Sequence, residues 1–289
     1  MNLSVAWNRL SARLKRRDLH HTVGRFNTIR KTYSFFQKKR QQTNGSLYRT
    51  RLQPRESSVF PDVSPTVAGD ALRDKSVTFG FALPGAMVQE IHDFACQNVL
   101  YEPGSDDEFF VHDVTNGQLP TGRSVLRGLV KNPSHCPAIE RIAQDPVLLS
   151  IAHDYLHYWP TQVTRHLTWT FVSDLNDQEQ KHRFLPLSYH YDVAGYNFMS
   201  AYFYITDMDT QTGAHVMIAG SHNKKPLHTL FAPWSGRTPD QVLLDYYGKE
   251  NEILIEGKAG FGFMQDPACF HKLLPPRQQN RLIFQIRYA

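Results

Sequence analysis

The sequence predicts an α+β domain that is mainly β, with helices first and a strand-rich C-terminal half. Three observations carry this expectation. The chain has 289 residues, 41% of them hydrophobic and 12% aromatic, which allows a sizeable core and is too apolar for a disordered chain. Before Trp159 the longer apolar patterns recur at helical spacing. After it they become short β-branched and aromatic runs separated by Gly-containing turns, without regularly interleaved helices, which argues for an antiparallel sandwich or barrel.

Taken in order, Leu3, Trp7, Leu10 and Leu14 lie at helical spacing among Arg9, Arg13, Lys15, Arg16 and Arg17, predicting a short amphipathic helix with a cationic face. A second basic stretch, Arg25 to Arg40, carries Phe26, Ile29, Tyr33, Phe35 and Phe36. Residues 41–65, rich in Gln, Asn, Ser and Pro, read as a linker. Residues 77–83 read as a strand closed by the turn signal Pro84-Gly85. Met87, Ile91, Phe94, Ala95 and Val99 predict a helix over 86–99, and the polar, Gly-containing stretch 101–125 reads as loops. Ile139, Ile142, Ala143, Val147, Leu148 and Ile151 predict one helix over 137–156. Strands are expected over 164–172, 198–205, 215–219, 252–255, 260–264 and 282–288. No internal repeat is visible.

The formal net charge of +5 hides a division. Residues 1–60 hold 14 of the 32 Lys and Arg but only two acids, Asp18 and Glu56, a net +12. The remaining 18 bases face 25 acids, a net −7. The chain therefore divides into a basic segment, 1–60, partly helical or disordered, and an acidic domain, 61–289. The basic segment suits three roles: a tail docked on its own acidic domain, a peripheral contact with an anionic membrane surface through residues 1–40, or an organellar transit segment. Charge alone also permits nucleic acid, which is not expected as a partner. No run of eighteen apolar residues predicts a membrane span. Cys96, Cys136 and Cys269 are too few and too scattered for a disulfide framework or a zinc cluster, so a reducing, cytoplasmic setting is the simpler expectation.

Chemistry centres on His190-Tyr191-Asp192. In an extended segment residues i and i+2 point to one side, so His190 and Asp192 can meet one metal ion. A second histidine would complete a face of two histidines and one carboxylate, an arrangement that suits non-haem iron(II). The dipeptide spacing alone is weak, because 14 histidines and 27 acids in 289 residues give about one such match by chance. Context supplies the weight. His190-Tyr191-Asp192, a strand over 200–207, Thr212-Gly213-Ala214 and Ala219-Gly220-Ser221-His222 follow in order, then Gly260-Phe261-Gly262-Phe263-Met264, His271 and Arg281.

That series resembles the phytanoyl-CoA dioxygenase family over residues 75–289, with Ala219 standing where the family has proline. The resemblance implies a double-stranded β-helix, a jelly-roll or cupin-like barrel with flanking helices. It further implies iron(II) held by His190, Asp192 and His271, and 2-oxoglutarate as co-substrate with its distal carboxylate on Arg281. With O2, such an enzyme converts 2-oxoglutarate to succinate and carbon dioxide and by default hydroxylates a small or lipid-linked substrate. His215 and His222 compete with His271, and Arg277 and Arg287 with Arg281. Tyr202 and Tyr204 are placed to line the co-substrate pocket. Residues 101–125 and 223–257, the latter with Trp234, are expected to form the rim. The alternative is a catalytically silent binding protein on the same barrel, working at an anionic membrane surface. His112-Asp113 and His153-Asp154 raise a helical metal phosphohydrolase, which the expected C-terminal strands oppose. Gly-rich phosphate loops and a Gly-x-Ser-x-Gly elbow are absent.

Overall fold

The computed structural model describes residues 23–43, 57–231 and 238–289; the helix expected over 3–14, and Trp234, lie outside them. Helix α1 (Asn27–Thr43) leads to α2 (Pro65–Lys75), strand β1 (Val77–Ala82) and α3 (Gly85–Gln97). The expected loops 101–125 carry the short strands β2 (Leu100–Tyr101) and β3 (Glu108–Phe109), and β4 (Arg127–Val130) follows. Helices α4 (Pro137–Ala143) and α5 (Pro146–Leu156) precede β5 (Val163–Thr170), α6 (Asp177–Arg183), β6 (Met199–Tyr204) and β7 (His215–Ile218). Then come α7 (Leu227–Leu230), α8 (Asp240–Tyr247), β8 (Glu252–Ile255), β9 (Phe261–Gln265), β10 (His271–Leu273) and β11 (Arg281–Tyr288).

The expected single helix over 137–156 is two. Pro146 lacks the N–H a continuous helix needs, and the Asp145 carboxylate caps the new start by accepting from Val147 N and Leu148 N at 2.9 and 3.2 Å. The same carboxylate accepts from Ser58 Oγ and from Val59 N at 2.7 Å. Phe60 is buried beside them and stacks on Phe203, centroids 5.7 Å apart. Of the expected linker, residues 41–43 instead continue α1, and residues 57–65 are thus fixed to the body.

Eight antiparallel strands form one sheet in the order β1-β9-β6-β11-β5-β4-β2-β3, and three form a second, β10-β7-β8. Strand periodicity divides the core in two. Leu282, Phe284, Ile286 and Tyr288 of β11, with Ala201 and Phe203 of β6, face the helices and pack with Leu72, Ile91, Ile142 and Ile151. Ile283, Tyr202 and Tyr204 point the other way and meet Met217 and Ile255 of the small sheet, with Phe263 between. In β1 the register shifts between Thr78 and Phe81, where Gly80 sits at φ +102°. This bulge puts Val77 in the inter-sheet cluster and Phe81 in the helix-side core. The C-terminal strands exclude the helical phosphohydrolase: His153 stacks on Trp159 at 4.1 Å, and the His112 side chain is 70% exposed.

Helix α1 packs on this body through Arg30, 5% exposed. Arg30 pairs with Asp266 at 2.7 Å, its Nε donates to Asn197 Oδ1 at 2.9 Å, and Asn197 Nδ2 donates to Ser34 Oγ. Among the described residues no helix is long and apolar enough to cross a membrane.

Candidate metal centre

Two chain segments pair to make the centre. His190 and His271 exchange backbone hydrogen bonds of 2.9 and 2.8 Å, and Asp192 N donates to Pro267 O at 2.8 Å. Tyr191, buried, points away into a cluster with Phe270 and Leu243. Its neighbours His190 and Asp192 therefore share the opposite side, as extended backbone requires. His190, Asp192 and His271 each offer one ligand atom, and these atoms lie within 4.8 Å of one another. His190 Nε2 is 3.8 Å from Asp192 Oδ1, and the two imidazole centroids are 4.3 Å apart.

The imidazoles are set for ligation. His190 Nδ1 lies 3.0 Å from Ser188 O, and His271 Nδ1 lies 3.0 Å from Cys269 O. A carbonyl only accepts, so each Nδ1 is the donor and each Nε2 is the nitrogen turned forward, the one a metal would use. Burial, aided by His190, pushes the His271 pKa down to about 4, so its ring is neutral near pH 7.

Arg281 is on the inner face of β11, 2% exposed. Among the described residues its guanidinium pairs with no carboxylate; Nε donates to Met208 Sδ at 3.1 Å. Burial lowers its pKa to about 10, against the opposing influence of Tyr204 and Tyr202. Its stem runs against Gly213, at φ +93°, where an added Cβ would come within 2.8 Å of Arg281 Cδ. Tyr202 accepts from Gln285 Nε2 at 3.1 Å and stacks on Phe263 at 5.0 Å. Burial, then the nearby Asp192, raises the Tyr202 pKa. Tyr204 Oη donates to Ile255 O at 2.8 Å, closing on the small sheet.

The other candidates fall elsewhere. His222 is buried outside the His190–Asp192–His271 group. Arg277 pairs with Asp177 at 2.6 Å on the surface. His215 opens β7, within the expected strand, on the inner face, its ring 5.3 Å from that of His271 and 5.6 Å from that of Tyr202. Burial, then His271 and Arg281, hold it well below the usual histidine range, so it is a neutral wall of the site.

A polar row was not singled out from the sequence. Across the large sheet Gln285 is in register with Tyr202 on one side and His166 on the other, and Arg281 with Thr170. His166 Nε2 and Thr170 Oγ1 are buried without hydrogen-bond partners. Arg287 Nη2 stands 3.8 Å from Asp192 Oδ2. The signal was available in the alternation of β5, where Leu167 and Trp169 take the helix-side core and leave His166, Thr168 and Thr170 for the inner face. Of the expected rim, helix α8 covers the segment beside the centre, with Asp240 accepting from Lys272 Nζ at 2.7 Å and Leu243 packed near Tyr189 and Tyr191.

No protein-family model matches the sequence, and no curated relative does. Solved structures share the fold. The non-heme alpha ketoglutarate dependent epimerase SnoN from nogalamycin biosynthesis aligns with a TM-score of 0.52 at 11% identity, over 78% of this chain and 82% of that one. The same epimerase in complex with Fe3+, alpha ketoglutarate and nogalamycin RO gives 0.53 at 13% identity, over 78% and 83%. EvdO2 from Micromonospora carbonacea var. aurantiaca gives 0.52 at 12% identity, over 80% and 92%. At these identities the likeness establishes the fold, mixed helix and antiparallel sheet.

Proposed function

We propose that this chain is a non-haem iron(II) and 2-oxoglutarate-dependent oxygenase on a double-stranded β-helix, acting on a small organic molecule. One observation carries the reading: His190, Asp192 and His271 present converging ligand atoms in the same inter-sheet space as a buried Arg281 that has no carboxylate partner among the described residues. A buried guanidinium left in that state is costly unless an anion completes it, and its planar fork suits a carboxylate. The residues fit the two groups. His190, Asp192 and His271 would hold iron(II), and Arg281 the distal carboxylate of 2-oxoglutarate. SnoN, whose structure contains Fe3+ and alpha ketoglutarate, shares the fold and supports the assignment by analogy.

When bound, iron(II) with 2-oxoglutarate and O2 supplies oxidising power, releasing succinate and carbon dioxide; hydroxylation of an unactivated carbon is the proposed outcome. The protein's own work is orientation and exclusion of water. Ser188 O and Cys269 O fix both imidazoles with Nε2 forward. Gly213 leaves room for the Arg281 stem. Tyr202, Phe263 and His215 pack into a wall that keeps the Arg281 anion site dry. Gln285, His166 and Arg287 offer polar groups beside Asp192, where a substrate would be oriented.

The test is succinate formation from 2-oxoglutarate with iron(II), compared between wild type and His190→Ala. Succinate from the wild type and a loss of at least a hundredfold in the variant is expected; equal rates would remove the reading. A peripheral contact with an anionic lipid surface is proposed for residues 1–40, supported by Phe36, 63% exposed among the basic residues of α1. Vesicle co-sedimentation of full-length protein, with and without phosphatidylserine, checks it; no serine-dependent pelleting refutes it.

A further inference from the structure

A cavity of about 630 Å³ lies where α1 crosses the end of α5 and the basic last turn of α2, and none of its lining residues belongs to the candidate metal centre. Four cationic residues line it: Arg30, Lys31 and Lys38 from α1 and Arg73 from α2. Among the described residues no carboxylate lines it. Arg30 and Arg73 are neutralised from outside the lining, by Asp266 and by Asp70 with Asp154. Lys31 and Lys38 have no ion pair among the described residues. Seven residues apart on one helix, they share a face roughly 10 Å long.

The walls between these charges are aromatic and hydrogen-bonding. Phe35 and Tyr155 supply ring surface, and Asn27, Asn197 and Asn223 supply amides. His222 also lines the cavity, 5% exposed, and its Nδ1 is buried without a hydrogen-bond partner. An orphaned buried ring nitrogen in a cationic cavity calls for a ligand. At the His157 end, burial first, then Arg73 and Lys38, lower the pKa against Asp154; at His222 burial lowers it, while Asp266 opposes Arg30 and Lys225. The volume suits a whole small molecule rather than a lone inorganic ion.

We propose that this cavity is a binding site for a small organic phosphate, its phosphoryl groups held by Lys31, Lys38 and His222 and its ring against Phe35 and Tyr155. The two unpaired ammonium groups recognise spread negative charge, and the aromatic walls distinguish a ring-bearing ligand from a bare anion. The site is independent of the proposed iron chemistry. Because Arg30 serves both the cavity wall and the Asp266 turn that leads to His271, the ligand would bind against the scaffold of the metal centre.

Isothermal titration calorimetry on the full-length protein at low salt tests this with ADP, pyrophosphate, adenosine and citrate. ADP and pyrophosphate should bind, ADP more tightly, while adenosine and citrate bind at least tenfold more weakly than ADP. Lys31→Glu with Lys38→Glu should weaken ADP at least tenfold. Arg40→Glu with Lys249→Glu, the same charge change at exposed positions outside the cavity, should stay within twofold, as should wild type saturated with 2-oxoglutarate. The proposal is overturned by no ADP binding to wild type, by equal binding of citrate, by equal loss in both double variants, or by displacement with 2-oxoglutarate.

Discussion

Replacing Arg30 by Met keeps the length of the side chain and removes its charge, leaving Asp266 as a buried anion. The pair is closed to solvent, with side-chain exposures of 6% and 0% at 2.7 Å. At that distance the Coulomb attraction is roughly 6 kcal/mol for an effective dielectric of about 20. Part of this is offset because the variant no longer buries a guanidinium. Asp266 retains donors from Tyr155 Oη and Ala268 N. Breaking such a pair from one side costs about 3–5 kcal/mol, which moves the urea midpoint down by about 1–2 M for an m-value near 3 kcal/mol per M. The pH dependence is diagnostic. Burial works to raise the Asp266 pKa, but Arg30 and His222 more than offset it and hold the carboxyl below its ordinary range. In wild type, that contribution is full above the unfolded carboxyl pKa and lost as pH falls through the depressed folded value. Without Arg30, burial dominates and the folded pKa rises above the unfolded one, so the variant loses stability as pH rises. The gap between the two proteins should therefore widen from pH 5 to pH 8. Adding Asp266→Asn to Arg30→Met should recover part of the loss. A cost below about 1 kcal/mol, or a gap that narrows with pH, would show that Arg30 does not compensate a buried Asp266 anion.

Other consequences are open to measurement. Arg281→Met should raise the melting temperature of the ligand-free protein, because a buried cation without a carboxylate partner among the described residues is replaced by an apolar chain, and should abolish stabilisation by 2-oxoglutarate. Arg281→Lys keeps the charge but loses the fork, and should weaken 2-oxoglutarate by about 10- to 100-fold, read by titration calorimetry. Gly213→Ala combines a left-handed backbone with a 2.8 Å collision at Arg281 Cδ; a stability loss of about 1–3 kcal/mol in chemical unfolding is expected, together with weaker 2-oxoglutarate binding. Asp145→Ala removes a cap of α5 and the acceptor for Ser58 and Val59; a loss of about 2–4 kcal/mol is expected by the same measurement.

Much of this architecture was legible because strand periodicity is a local property. The alternation of β11 assigned Arg281, Ile283 and Gln285 to one face and Leu282, Phe284 and Ile286 to the other, and the two clusters follow that division. His190 and Asp192 were legible for the same reason, with Tyr191 turned away between them. The break before α5 was also written locally, in Asp145-Pro146, but the apolar spacing across it masked the stop. Helix α6 was signalled by Asn176 and Glu179, which form a capping box. The strand at 215–219 was legible, but that His215 and Met217 alternate onto the inner face beside His271 depends on how the two sheets pack. The docking of α1 could not be read: its key contact joins Arg30 to a carboxylate 236 residues away, and no local pattern marks one arginine of a basic run as the buried one.

His190, Asp192 and His271 are assigned here as the ligands of one metal ion. Anaerobic titration of iron(II) into the full-length protein, monitored by calorimetry, tests this assignment most directly, with His190→Ala, Asp192→Ala and His271→Ala measured alongside and shown by circular dichroism to be folded. One iron(II) per chain is expected for wild type, with at least a hundredfold weaker binding in each variant. Iron bound equally by wild type and the folded variants, or not bound by wild type at all, would contradict the assignment.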